Sequence, residues 1–220
     1  MIKKFLFLLF VFVLNNYAFG RILPGPGVEV DSSKYSSFSG RVFLISIGVD
    51  HFNHINGRSS VIRYGQSDAK NFERYLEIDT SIKKIIKFSF RDNSNKKEII
   101  EAFNEIATKA NQSDLFMIYY AGMSTNGNIL LTDDSLSSVD VFNLTQNIFC
   151  ERQLMFIDCD NGDAFLKGLK REIKNKPNEK INTKIDRVLF YTSNVANEGV
   201  KIKCDTSYNG GLFTGGFIST

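Results

Sequence analysis

Apolar residues along this chain keep to two rhythms that alternate from about residue 41 onward. Apolar-rich runs at residues 42–49 (VFLISIGV), 82–90, 114–121 (DLFMIYYA), 153–158 (QLMFID) and 187–192 (RVLFYT) predict β-strands. A strand covered on both faces has no polar side to show, so such runs read as buried strands. Between them, residues 67–77 (SDAKNFERYLE) set Ala69, Phe72, Tyr75 and Leu76 at helical spacing. Residues 96–110 set Ile99, Ile100, Phe103 and Ile106 on one helical face. Strands alternating with helices predict an α/β fold, a mostly parallel sheet with helices on both faces, decorated by short hairpins such as residues 127–131.

The first forty residues follow neither rhythm. Lys3 and Lys4 precede ten apolar residues from Phe5 to Leu14, and a small-residue site follows at Ala18-Phe19-Gly20. That order predicts a signal peptide over residues 1–20, cleaved after Gly20. Ten apolar residues are too few to span a bilayer, which takes about 20, so the mature chain is expected to be exported, secreted or periplasmic, without a stable membrane anchor. Residues 21–40, rich in Ser and Gly and holding two of the three prolines, read as an extended linker, which leaves residues 41–220 as the single domain.

Charge and composition narrow the chemistry. Loss of Lys3 and Lys4 takes the basic count from 27 to 25 against 24 acidic residues, so the formal charge falls from +3 to +1 and no nucleic-acid partner is expected. Two histidines and three scattered cysteines (Cys150, Cys159, Cys204) show no zinc spacing, so neither metal nor cofactor is expected. An odd cysteine count leaves at least one thiol free or paired between chains. In open parallel sheets ligands bind beyond the carboxyl ends of the strands. Here those ends carry Asp50-His51, Ala121-Gly122-Met123-Ser124 and Asp158-Cys159-Asp160. His51 and His54 are read as residues of the loop after the first strand, and the charged run 170–184 (KREIKNKPNEKINTK) as a solvated loop.

Several segments, in order, resemble the caspase-like peptidase family. Ile62-Arg63-Tyr64 with Ser67-Asp68-Ala69 resembles the start of its first helix; Tyr119-Tyr120-Ala121-Gly122 resembles the strand ending in Y-x-S-G-H-G. Phe156-Ile157-Asp158 with Asn161-Gly162 resembles the strand ending in D-A-C-H-S-G, and Gly211-Leu212-Phe213-Thr214 resembles its late G-x-F-T motif. The resemblance covers residues 41–220 and implies a caspase-like three-layer sandwich. It also sets Met123 at the family's catalytic His and Asp160 at its nucleophilic Cys. A thioether carries no proton, and a carboxylate attacks an amide far less readily than a thiolate, so the resemblance implies a pseudo-peptidase. Asp68 and Asp158 match the two acids that hold a basic side chain in metacaspase-like members, while Ala121 replaces the family's Ser. Two recessed carboxylates can take a guanidinium by charge-assisted, bidentate hydrogen bonds, so a peptide segment with Arg or Lys is the expected partner.

Two competing readings come from the same residues. Cys159 could serve as a displaced nucleophile with His51 or His54 as base, giving an active cysteine endopeptidase, although a one-residue shift at a strand end turns the sulfur to the other face. Asp50, Asp158 and Asp160 could instead hold a divalent cation, as oxygen ligands do. Finally, only nine residues follow Gly211, so the expectation is either a weakened last sheet edge or an edge left for a partner such as a second copy of the chain, a homodimer.

Overall fold

The computed structural model describes residues 40–55, 58–78, 82, 84–160, 162–175 and 186–192. The expected signal peptide, the linker, Cys204 and the motif at Gly211 lie outside the described residues. In chain order the elements are β1 (Val42–Gly48), β2 (His51–Ile55), β3 (Arg58–Val61), α1 (Gly65–Ile78), β4 (Ile85–Phe90), α2 (Lys96–Lys109), β5 (Leu115–Thr125), β6 (Asn128–Leu130), β7 (Ser135–Ser137), α3 (Ser138–Gln146), β8 (Arg152–Asp160), α4 (Gly162–Asn175) and β9 (Asp186–Thr192).

Five strands pair in parallel in the order β4-β1-β5-β8-β9, and β6 and β7 extend the end of β5 as an antiparallel meander. Every residue of β1 is buried, as a strand at the centre of a two-sided sheet must be. Its odd-numbered side chains Phe43, Ile45 and Ile47 join Ile118, Met155 and Ile157 beneath Ile99, Phe103 and Ile106 of α2, Val141 and Phe142 of α3, and Phe165 and Leu169 of α4. Its even-numbered Val42 and Leu44 join Met117, Tyr119 and Phe156 beneath Ala69, Phe72 and Leu76 of α1. Phe72 anchors that second layer, its ring stacked 4.3 Å from Tyr119 and tilted against Phe156 at 5.0 Å. The result is the α/β sandwich the two rhythms imply, three layers deep.

The boundaries differ where tertiary contacts decide. The strand expected from residue 82 begins at Ile85, and the strand expected to stop at residue 121 runs on to Thr125. What carries β5 onward is Tyr120: its fully buried hydroxyl bridges the carbonyls of Met123 at 2.6 Å and Leu130 at 2.7 Å, tying the hairpin back to the strand. Gly122 leaves the room, since a Cβ there would stand 2.7 Å from the Tyr120 ring. The loop expected at His51 and His54 is the hairpin β2-β3, pinned where Asn53 N–H donates to the Thr132 carbonyl at 2.7 Å. The charged run expected as a loop from residue 170 is helical as far as Asn175, because Leu166, Leu169 and Ile173 carry an apolar stripe onto the sheet; its remainder, residues 176–184, lies outside the described residues.

At the opposite end of the sheet one buried carboxylate ties two strand starts together. Asp114, 1% exposed, accepts hydrogen bonds from the Arg41 backbone N–H at 2.8 Å, Nε at 3.2 Å and Nη2 at 2.6 Å, and from Asn111 N–H at 2.9 Å. Burial pushes this carboxyl up, but the hydrogen bonds from Arg41 and Asn111 outweigh it and hold it below its ordinary value. A carboxyl lowered by folding adds stability that is present above its unfolded range and lost as pH falls through the lowered value. We expect Asp114→Ala to lower stability by about 2 kcal/mol, below the usual figure for a buried pair because Arg41 is partly solvated. Urea unfolding over roughly pH 2 to 6 should show a shallower acid limb in the variant, and coincident acid limbs would exclude this role for Asp114.

Candidate functional site

The candidate site is built where β1, β5 and β8 end together under the start of α1. Parallel pairing sets Gly48 beside Ala121 and Ala121 beside Asp158, so one row of residues crosses three strand ends. Two glycines bring α1 down onto that row. A Cβ on Gly48 would stand 2.7 Å from the Ala69 Cβ and 2.9 Å from the Gln66 Cα; a Cβ on Gly65 would stand 3.0 Å from the Ala121 carbonyl oxygen. Asp68, in the first turn of α1 and 3% exposed, is therefore carried down to the strand ends on the face that Ala121 shares. Asp158 follows Phe156 by two residues, which sets it on that same face, partly buried. The sequence expectation for Asp68, Ala121 and Asp158 thus falls on one side of the sheet, at one end.

The next pair in the register is Met123 beside Asp160. These are the two positions that the sequence reading sets at the family's catalytic His and Cys, and they are direct neighbours on adjacent strands. Met123 is partly buried, and its carbonyl accepts the Tyr120 hydroxyl.

Cys159 pairs in register with Gly122 and is buried at 4% exposure among Ile157, Tyr120 and Phe165, on the face away from α1. Cys150 is also buried, and burial pushes its thiol up to about 12, which keeps it protonated. Neither forms a disulfide among the described residues. His51 is exposed on the hairpin, where its Nδ1 is held by the Asp92 carboxylate; that hydrogen bond, with the Asp92 charge, raises its pKa above the ordinary value. His54 lies on β2, and its side chain is outside the described residues.

A polar network missing from the sequence reading closes this end of the sheet. Asp92 Oδ1 accepts Asp50 N–H at 2.7 Å and His51 N–H at 3.2 Å, and its Oδ2 accepts Gln66 Nε2 at 2.9 Å. Asp50 in turn accepts the Gln66 backbone N–H at 3.1 Å, satisfying an otherwise unpaired donor of the first helical turn. Asp50 thus serves the start of the helix, through Gln66. Among the described residues no three His, Cys, Asp or Glu stand together as a metal site. The signal for Asp92 was available: it lies two residues past β4, at a strand end like the others.

Asp68 and Asp158 thus lie at the carboxyl ends of the parallel strands, on the face of the sheet that α1 covers. No curated protein matches the chain. Among solved structures it is similar to protein GSU0716 from Geobacter sulfurreducens, at 15% identity over 70% of this chain and 72% of that one, with a TM-score of 0.48. Its sequence matches the family model described as the caspase domain over residues 41–219. With that match spanning both the parallel core and the strand ends just described, the chain belongs to the caspase domain family.

Proposed function

We propose that this chain is an exported pseudo-peptidase of the caspase domain family that binds a peptide through an Arg or Lys side chain. The observation that carries the reading is the row Gly48, Ala121 and Asp158 lying beneath α1 and its buried Asp68. Carboxylates in a recess recognise a guanidinium or ammonium by charge-assisted hydrogen bonds, stronger there than in open water. Met123 and Asp160 then occupy the former catalytic positions with neither an imidazole nor a thiolate.

Calorimetry with a peptide ending in Arg is the direct test. Asp158→Ala is expected to weaken binding on the order of 10- to 100-fold, the range for losing a hydrogen-bonded charge partner. Equal affinity in the two proteins would refute the pocket. The same preparation, incubated with Arg- or Lys-ended reporter peptides, should give no turnover. Turnover that vanishes in Cys159→Ala would instead establish the active endopeptidase with Cys159 and His51 or His54.

A further inference from the structure

Two non-glycine residues among those described have positive φ: Asn126 at 50° and Tyr64 at 83°. Asn126 sits with Gly127 in the two-residue turn between β5 and β6, where Asn is at home in the left-handed region. Tyr64 has no such excuse, since a bulky side chain in that region is strained. The turn itself is imposed by its neighbours. The Tyr64 carbonyl accepts Asp68 N–H at 2.7 Å and Ser67 Oγ at 3.0 Å, and Gly65 is wedged against Val49, Ala121 and Asp50. A glycine at position 64 would meet every one of those demands without strain.

The strain is therefore attached to the aromatic side chain, not to the turn. That side chain is half-buried, and its hydroxyl has no hydrogen-bond partner among the described residues. Strained residues concentrate where a site needs a group in one place. Position 64 immediately precedes α1, one turn before Asp68 and next to the residue packed on Ala121.

Resting on the binding reading above, we propose that Tyr64 is a specificity-determining residue of the same site, and that its ring takes the planar face of a bound guanidinium. The ligand is then a peptide arginine in preference to lysine. A guanidinium can stack on an aromatic face while its edge faces carboxylates, whereas an ammonium is a point charge without a face to stack.

The test is calorimetry of the full chain with peptides ending in Arg and in Lys. Wild type is expected to favour Arg. Tyr64→Gly is expected to lose on the order of five- to tenfold in Arg affinity, with a smaller loss for Lys, so that the Arg:Lys ratio collapses. Tyr64→Phe should restore the ratio, and the thermal midpoint of Tyr64→Gly should not fall. If that variant does not fold, Tyr64→Asn, which also tolerates the left-handed region, removes the ring in the same way. An unchanged ratio in the Gly or Asn variant, with Asp158→Ala still impaired, overturns the role of Tyr64 alone. Binding of neither peptide by wild type, or binding indifferent to Asp158, overturns this inference and the pocket together.

Discussion

The double variant Met123→His/Asp160→Cys is expected to cleave reporter peptides after Arg or Lys, and the natural chain is expected not to. Residues 123 and 160 are register partners on adjacent parallel strands, so their backbones lie about 4.8 Å apart and the introduced imidazole and thiol would start as neighbours. A Cys becomes a nucleophile when a base within hydrogen-bond reach takes its proton. Members of such a pair fail together, so each single variant should stay near background. The double variant should exceed either single one by on the order of 10^3-fold or more. Adding Asp158→Ala should then raise KM for the basic substrate, because that carboxylate is proposed to hold the basic side chain. A double variant no better than the single ones, in a protein that still binds the Arg peptide, would show that positions 123 and 160 do not rebuild a dyad.

Much of this frame was legible before any coordinates. The strand at Val42 and the helix around Phe72 were readable because their burial is nearly complete, and complete burial leaves an unbroken or strictly periodic apolar pattern. α3 was not, since Val141 and Phe142 sit in a short helix among Ser, Asp and Asn. Its start was nonetheless marked by a reciprocal cap, in which Ser137 and Asp140 each satisfy the other's backbone N–H. The extension of β5 to Thr125 depends on the Tyr120 hydroxyl meeting a carbonyl ten residues away, which no local pattern encodes. The site divides in the same way. Asp68 and Asp158 came from motif order, and strand parity alone predicts that Cys159 turns away from them. The link from His51 to Asp92 spans 41 residues and exists only after β1 and β4 have paired. The strain at Tyr64 is equally invisible in the sequence, because a tyrosine there looks like any other aromatic until its φ is known.

Gly48→Val is expected to damage the fold and the site together, and the reason lies in what surrounds the glycine. A Cβ there would stand 2.9 Å from the Gln66 Cα and 2.7 Å from the Ala69 Cβ, and closer still to the Gly65 carbonyl oxygen. Helix backbone cannot rotate away as a side chain can, so α1 as a whole must lift from the sheet. Forcing extra atoms into a packed contact costs about 1–3 kcal/mol, and backbone neighbours set this case near the upper value. For a chain of this size that is a fall of roughly 6–12 °C in melting temperature. The same displacement moves Asp68 relative to Asp158, so Arg-peptide affinity should drop at temperatures where the variant is still fully folded. Adding Ala69→Gly removes the one side-chain neighbour and leaves the two backbone ones, so it should restore little of either property. Full rescue by that second change would mean that the contact is between side chains only, and that the close approach of α1 to the strand ends does not hold the two carboxylates in place.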